Sequence, residues 1–264
     1  MSSSARLPLP SLASPLLAVL LASLLTSGCV THVRERCPSC AVVDGEARRL
    51  PPVRPGTERL FVIVPGVLGY GWEWDEAVRA LRTADKTAFV VFWWEPWGSV
   101  RRASDDLRSA LTAALYWTPS SVREVVVVAH SVGGLVAAHA IGGLQVPNDR
   151  HVELITVGAP FAGMLGPPFS WDDALRSPAM MSVMGTFRDY PRPPPRVDIV
   201  EYVTTYPSDP VMQPRYGHLV APPEVGPRGA RRIAVDPKFD HNQVVSRVLI
   251  GVLRDHAPPE TIAP

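Results

Sequence analysis

Residues 123–134 read REVVVVAHSVGG, and this stretch decides the fold. Four consecutive valines form a continuous apolar run, which is typical of a strand buried on both faces of a parallel sheet. A turn of small residues follows, and the apolar segment 132–141 then predicts a helix. The stretch therefore predicts a strand, a tight turn and a helix in direct succession, with Ser131 at the turn.

The sequence on either side repeats this alternation of strand and helix. We predict further strands over 60–64, 87–93, 151–157, 197–205 and 230–235, and further helices over 74–83, 99–116 and 242–253. Such alternation implies an α/β fold with a mostly parallel sheet and helices on both faces. The chain has 264 residues, 46% of them hydrophobic, which suits one domain with a full core; we place it at residues 57–264.

Ser131 stands where a strand–turn–helix unit would expose a nucleophile. Such a turn lifts the hydroxyl above the sheet edge, and the residues two before and two after must be small because strand and helix pass close together. Ala129 and Gly133 meet that need. The helix N-terminus behind Ser131 also favours negative charge that develops on a substrate. The alternative is a serine in a Gly-rich turn without a catalytic role.

The segment His130-Ser131-Val132-Gly133-Gly134 resembles the nucleophile elbow of the α/β-hydrolase superfamily, and within it the lipase-like and esterase-like members. The similarity covers roughly residues 58–256 and departs at Ala129, where most members carry Gly. It implies an α/β-hydrolase fold and a serine carboxylic-ester hydrolase that works through an acyl-enzyme on Ser131. We expect His130 to pack beneath the turn, because its side chain directly precedes the nucleophile.

The resemblance also implies an acid and a base, in the chain order serine, acid, histidine. Asp209 follows the predicted strand 197–205, and its alternative role is that of a turn-capping residue beside Pro210. His241 lies between the last predicted strand and the last predicted helix. The rivals are two acids and one base: Asp236, Asp240 and His218.

Acyl transfer further needs two backbone N–H donors for the developing oxyanion. The resemblance assigns one donor to Val132, the residue after the nucleophile. It assigns the other to the loop after the first strand of the domain, where Gly66 permits close backbone approach and Val67 offers its N–H. Leu68 is the alternative donor, and an ordinary Gly-rich turn is the alternative interpretation of the loop.

The N-terminus predicts a targeting segment over residues 1–28. Its apolar run, residues 12–25, is too short to span a bilayer, which needs about 20 residues. Small residues then lead to Cys29, and this resembles the bacterial lipoprotein signal, in which Cys29 would carry lipid. We expect an exported, lipid-anchored protein of the periplasm or outer membrane. The alternative is an ordinary cleaved signal and a secreted protein.

Residues 29–56 mix charge, Gly and Pro without an apolar period, and they predict a tether. If Cys29 carries lipid, Cys37 and Cys40 remain as an even pair. Export exposes them to an oxidising compartment, which favours a small disulfide between them. A redox CxxC or half of a zinc site are the alternatives, and the surrounding sequence supplies the context for neither.

Residues 161–196 interrupt the alternation with many prolines and predict a cap over the site; a surface loop is the alternative. The segment 158–160, Gly-Ala-Pro, resembles the Gly-x-Pro segment of lipases. Tryptophans near the strand ends could line an acyl pocket or belong to the core: Trp72, Trp74, Trp93, Trp94 and Trp97. Together these features favour an ester with an apolar acyl chain as the substrate.

Composition excludes little else. The formal net charge is +1, so no nucleic-acid partner is expected, and we expect no cofactor and no metal site. Three other functions remain open: an acyltransferase with the same triad, a peptidase or amidase on the same fold, and a non-catalytic envelope binding protein.

Overall fold

The computed structural model describes residues 41–44, 53–66, 74–84, 86–95, 99–161, 190, 192–203, 227–235, 238 and 243–256. Seven strands form one sheet: β1 (Ala41–Asp44), β2 (Arg59–Val64), β3 (Thr87–Trp93), β4 (Glu124–His130), β5 (His151–Val157), β6 (Val197–Val203) and β7 (Arg231–Ala234). Four helices accompany them: α1 (Asp75–Thr83), α2 (Val100–Trp117), α3 (Val132–Ile141) and α4 (Gln243–His256).

The sheet is parallel throughout, in the order β1-β3-β2-β4-β5-β6-β7. This confirms the predicted fold class. The predicted bounds agree with β3, α3 and β5 residue for residue, and β4 contains the four consecutive valines. The fully buried run 125–129 explains why its sequence was so informative, since both faces of this strand are covered.

Strand β1 is the element that the sequence does not predict. It lies within the segment expected to be a tether, and it pairs in parallel with β3 at the edge of the sheet. Four residues are too few to establish a period of two. The hydrogen-bonding edge of β3, rather than a pattern in residues 41–44, decides that this segment becomes a strand.

Two apolar layers enclose the sheet. Helices α2 and α3 cover one face, where Leu60, Val62, Val127 and Leu154 are buried. Helices α1 and α4 cover the other face, where the alternate residues of the same strands are buried, such as Phe61 and Ile63. The alternation follows from the period of two in a strand. Among the described helices, none has the length and apolar character needed to cross a bilayer.

A buried arginine fastens α2 to the start of β5. The Arg150 side chain, which is 7% exposed, donates to the carbonyl oxygens of Ala114, Thr118 and Pro119 and to the Thr118 hydroxyl, at 2.5–3.3 Å. Positive charge is favourable at a helix C-terminus, because the last carbonyl groups have no intrahelical donor. The C-terminus of α2 therefore lies at the edge where the strands begin, opposite the edge where they end.

The strand order reverses between β2 and β4. The chain leaves β2 through α1 to reach β3 on one side, and α2 returns it to β4 on the other side. In open parallel sheets, ligands bind outside the carboxyl ends of the strands at such a point. The Val64↔Ala129 register places the two segments that follow these strands, Pro65-Gly66 and Ser131, side by side at this edge.

Candidate active site

Ser131 occupies a strained turn between β4 and α3. Its backbone has φ 53° and ψ −129°, a region that residues with a Cβ rarely adopt. Two hydrogen bonds hold it there: the Ser131 N–H donates to the Val157 carbonyl at 3.0 Å, and the Gly134 N–H donates to the Ser131 carbonyl at 2.9 Å. Strain that is held in place by its surroundings is typical of a functional position.

Two glycines allow α3 to start directly under this turn. A Cβ added to Gly133 would lie 2.4 Å from the Pro65 carbonyl oxygen and 2.5 Å from that of Val64. A Cβ added to Gly134 would lie 2.4 Å from the Cβ of Ala159. Since these contacts leave no room for a methyl group, the double glycine brings the helix N-terminus close to the ends of β2 and β5.

Gly66 brings the loop after β2 against the serine. A Cβ added to Gly66 would lie 3.1 Å from the Ser131 Cβ and 3.6 Å from its Oγ. The space that a side chain on Gly66 would fill therefore lies in van der Waals contact with Ser131. Gly66 and Ser131 thus lie side by side, and the oxyanion site, in which backbone N–H groups receive developing negative charge, stays a prediction.

The Ser131 hydroxyl makes no hydrogen bond with any residue that the structure describes. Ser131 is itself buried, with 7% of its surface exposed, against 4% or less for Ala129, His130 and Val132. Val132 is the first residue of α3, so its backbone N–H is one of those without an intrahelical acceptor. The turn thus presents a hydroxyl beside an orphan donor.

His130 packs on the α1 side of the sheet, against Trp74. Its ring meets Trp74 edge to face, with 6.3 Å between the ring centroids and an interplanar angle of 75°. Trp74 is fully buried and Trp94 is 3% exposed, so both belong to the core and neither lines an open acyl pocket. Large aromatic side chains this close to strand ends are core residues more often than pocket walls.

Trp94 is a residue whose role the sequence did not indicate. It follows β3, and its indole Nε1–H donates to the Pro65 carbonyl at 2.9 Å within the core. Pro65 directly follows β2. Sequence reasoning placed Trp94 with the aromatic cluster but could not foresee a bond between two strand ends 29 residues apart.

Two residues of the segment predicted as a cap, Phe161 and Tyr190, lie in the core. Phe161 and Tyr190 are 1% and 5% exposed, and their rings meet edge to face with 5.1 Å between centroids. Tyr190 also lies 4.9 Å from the His139 ring in α3. Phe161 and Tyr190 therefore lie side by side in the core, while residues 162–189 lie outside the described residues.

Several buried titratable groups lie on the α3 side of the sheet. Burial lowers the pKa of His139, with further lowering by Arg101 and Arg108, so its ring is neutral at ordinary pH. Burial raises the pKa of the Tyr190 phenol. Burial also raises the pKa of Glu201, although Arg232 opposes this with an Nε–H that donates to the carboxylate at 2.7 Å. None of these groups touches the Ser131 hydroxyl.

The remaining predicted site residues lie outside the described part of the chain. These are Asp209 and His241, their rivals Asp236, Asp240 and His218, the oxyanion donors Val67 and Leu68, and the three cysteines Cys29, Cys37 and Cys40. Within the described ranges, no group of three or more His, Cys, Asp or Glu side chains is placed to hold a metal ion. The roles of these residues therefore remain predictions.

The fold is that of the α/β hydrolases. The chain resembles lipase B of Aspergillus fumigatus, with a TM-score of 0.50, 15% identity, and coverage of 78% of this chain and 55% of the lipase. It also resembles Est1E of Butyrivibrio proteoclasticus, with a TM-score of 0.49, 16% identity, and coverage of 76% of this chain and 88% of Est1E. A third similar structure is the type II thioesterase YbtT, with a TM-score of 0.46, 16% identity, and coverage of 80% of this chain and 97% of YbtT.

A sequence family described as "Putative serine esterase (DUF676)" matches residues 57–185, just under half of the chain. No protein with a curated description matches the sequence. The matched range contains the loop after β2, the elbow and the first part of the predicted cap. Family match, fold and strained serine together support a serine hydrolase.

Proposed function

We propose that this protein is a serine carboxylic-ester hydrolase that acts through an acyl-enzyme on Ser131. Ser131 Oγ attacks the ester carbonyl while His241 accepts its proton, and Asp209 orients the imidazole. The N–H groups of Val67 and Val132 bind the oxyanion of the tetrahedral intermediate. His241 then returns the proton to the departing alcohol and activates the water that hydrolyses the acyl-enzyme.

One observation carries the proposal: Ser131 has a positive φ on a β4–α3 turn that lies against Gly66. A structural serine at a strand-to-helix junction gains nothing from a conformation that costs about 1–3 kcal/mol. A nucleophile gains a hydroxyl that is placed at the helix N-terminus, beside a backbone loop able to donate hydrogen bonds. The positive φ therefore favours a nucleophile over a serine in an ordinary turn.

The direct test uses a fluorophosphonate probe and a series of p-nitrophenyl esters with increasing acyl length. We expect the wild type to be labelled once, on Ser131, and to hydrolyse the esters. We expect Ser131→Ala to lose both properties while its circular dichroism spectrum stays unchanged. A wild-type chain that neither takes up the probe nor hydrolyses esters would instead be a non-catalytic binding protein.

The acid and the base are tested by matched substitutions. Asp209→Asn and His241→Ala should each lower kcat by about 10³-fold or more, since triad members act as a unit. Asp236→Asn, Asp240→Asn and His218→Ala serve as controls that should keep most of the activity. If a control substitution lowered kcat more than the matching substitution of Asp209 or His241, the control residue would be the acid or the base.

The same assays separate the competing activities. An acyltransferase would form a new ester when an alcohol acceptor is added, and product analysis by mass spectrometry detects it. A peptidase or amidase would hydrolyse anilides at rates comparable to esters. We expect hydrolysis of esters to dominate, with preference for apolar acyl chains.

We further propose that the protein is exported and anchored in the cell envelope through lipid on Cys29. The support is the sequence of residues 1–29, whose short apolar run ends at a cysteine after small residues. Metabolic labelling with an alkyne fatty acid should mark the wild type and not Cys29→Ser. We also propose the disulfide between Cys37 and Cys40, which thiol alkylation with and without reductant would reveal.

A further inference from the structure

We infer that the edge of the sheet where the strands begin docks onto a phospholipid membrane surface, with the edge that carries Ser131 turned toward the aqueous phase. We call this surface the basal edge and define it by five described residues: Lys86, Tyr116, Trp117, Arg123 and Arg196. The docking rests on the proposed location in the cell envelope and is independent of the catalytic role of Ser131.

The basal edge carries the two large apolar side chains that the described part of the domain leaves exposed. Tyr116 is 51% exposed and Trp117 is 72% exposed, at the end of α2. The buried Arg150, one residue before β5, donates to the Thr118 carbonyl and so holds this helix end at the edge where the strands begin. Tyrosine and tryptophan suit the surface of a bilayer, because each joins an apolar ring to a polar group that stays in the headgroup layer.

Backbone hydrogen bonds join the residues that precede the strands into one row. The Glu58 N–H donates to the Lys86 carbonyl at 2.8 Å, and the Arg123 N–H donates to the Glu58 carbonyl at 2.9 Å. The row continues with a bond from the His151 N–H to the Arg123 carbonyl, at 2.8 Å, and a further bond to the Arg196 carbonyl, at 3.0 Å. Each of the three cations is two strands from the next, so their backbones lie about 10 Å apart along one side of the domain.

Two of these cations stand on backbone that favours glycine. Lys86 has φ 53° and Arg196 has φ 68°, and Ser131 is the only other described residue with a Cβ at positive φ. Glycine would adopt this conformation without strain, so the sequence keeps a long basic side chain at both positions despite a conformational penalty. Such strain is typical of functional positions, and an exposed cation binds the phosphate groups of lipids.

The ion pairs at this edge leave positive charge available. Glu58 binds Lys86 at 2.7 Å, and its pKa is lowered by Lys86 first and then by Arg123 and Arg59, so three cations surround one carboxylate. Arg123 and Arg196 are exposed, and neither belongs to an ion pair within the described ranges. Exposed ion pairs are weak, so anionic headgroups compete for these cations effectively.

The N-terminal segment reaches the domain from the same side. Strand β1 is parallel to the other strands, so the chain before its first residue, Ala41, approaches from the side of the basal edge. Between the proposed anchor at Cys29 and Ala41, the chain can span at most about 40 Å. A membrane-attached segment of this length keeps the basal edge near the bilayer, while the seven residues of β4 place Ser131 about 20 Å farther out.

The test uses the two lysines of the chain as reporters. Lys86 lies at the basal edge with 57% of its side chain exposed, and the exposed Lys238 follows β7 at the opposite edge. Full-length protein is added to preformed vesicles of phosphatidylcholine, with or without phosphatidylglycerol, and is treated with a membrane-impermeant amine reagent. Mass spectrometry gives the labelling rate of each lysine.

We expect Lys86 to be labelled about 5-fold or more slowly on the anionic vesicles than on phosphatidylcholine, since each basic residue near an anionic surface strengthens binding by about 5-fold. Lys238 should be labelled at the same rate on both. High salt should abolish the protection of Lys86, because it screens the attraction between the cations and the headgroups.

Substitutions at the basal edge should remove the protection. Arg123→Gln and Arg196→Gly should each raise the Lys86 rate on anionic vesicles by about 5-fold. Arg196→Gly also suits the positive φ, so its Tm should not fall and its effect is not one of misfolding. Trp117→Ser should likewise raise the rate, because it removes the interfacial ring. Arg101→Gln is the matched control: this exposed arginine lies at the start of α2, at the opposite edge, and Lys86 should stay protected.

Equal labelling of Lys86 on the two kinds of vesicle overturns the docking. Protection of Lys238 in place of Lys86 would put the active-site edge against the membrane and overturns it as well. If polyglutamate protects Lys86 and anionic vesicles do not, the basal edge binds an acidic protein, and the membrane docking is wrong. Failure of the proposed catalysis or lipidation appears in separate assays, as absent fluorophosphonate on Ser131 or absent fatty acid on Cys29.

Discussion

The Ser131 N–H donates to the Val157 carbonyl at 3.0 Å, and this bond ties the turn after β4 to the last residue of β5. It lies between two parallel neighbours, because the register pairs His130 with Val157. The hydrogen bond continues the sheet by one residue while the chain already turns into α3. The strained turn is thereby stabilised by the sheet rather than by its own residues.

The first prediction concerns the strain at Ser131. Relative to Ser131→Ala, which keeps the Cβ, Ser131→Gly should raise the free energy of unfolding by about 1 kcal/mol. Glycine adopts the positive φ without strain, and this gain in stability is larger than the loss caused by the greater conformational entropy of glycine in the unfolded chain. Urea denaturation of the two inactive variants measures the difference, and an alanine variant as stable as the glycine variant would show that the turn is unstrained.

The second prediction concerns the approach of α3 to β2. Gly133→Ala should lower the free energy of unfolding by about 2–3 kcal/mol, because its methyl group would meet backbone oxygens that cannot move aside. Gly251→Ala is the matched control within α4, where an added Cβ meets nothing within 4 Å. That change should increase stability by about 0.5–1 kcal/mol. Thermal unfolding measures whether Gly133→Ala is less stable, and Gly251→Ala more stable, than the wild type.

The third prediction concerns Arg150, whose guanidinium group satisfies four oxygen atoms at the end of α2. Arg150→Met should cost about 3 kcal/mol, because buried acceptors lose their donors. Arg150→Lys should recover only part of the lost stability. An ammonium group can still donate to some of these oxygens, but it cannot donate in the same forked geometry. The exposed Arg123→Met is the control and should change stability by less than about 0.5 kcal/mol. Equal effects of the Arg150 and Arg123 changes would contradict the capping role.

The fourth prediction concerns the pair Glu201–Arg232, in which burial raises the pKa of the carboxyl group and Arg232 lowers it. Arg232→Met leaves that carboxylate buried without its cation, so the pKa of Glu201 should rise further. At about pH 3, well below the pKa of Glu in the unfolded chain, the group is protonated in both folded and unfolded chains, and the variant should resemble the wild type. As the pH increases through the raised pKa, the unfolded chain ionises more readily, and stability is lost.

At about pH 8 the Arg232→Met variant should therefore be less stable than the wild type by about 3–5 kcal/mol. Urea denaturation at both pH values measures this dependence. Adding Glu201→Gln to the variant should abolish the pH dependence, and persistence of the dependence in the double variant would assign it to other groups. Arg59→Met, at a partly buried ion pair with Glu124, should show a smaller effect.

Local sequence patterns predicted much of this fold. The run Val125–Val128 indicated a buried central strand because its neighbours cover both faces, and no residue there can be polar. The small residues around Ser131 indicated a tight turn because side chains would collide at that point. Such features depend on residues that are close together in the sequence, so they can be recognised from the sequence alone.

By itself, the sequence determined the strand–helix alternation, the α/β-hydrolase fold class and the position of Ser131 between β4 and α3. Only the tertiary structure decided that residues 41–44 form a strand, that Trp94 holds the Pro65 carbonyl, and that Arg232 pairs with the buried Glu201. Each of these contacts joins segments about 30 or more residues apart. These contacts depend on which strands become neighbours in the sheet. A hydrophobic period of two or 3.6 residues identifies strands and helices, but it does not give the order of the strands.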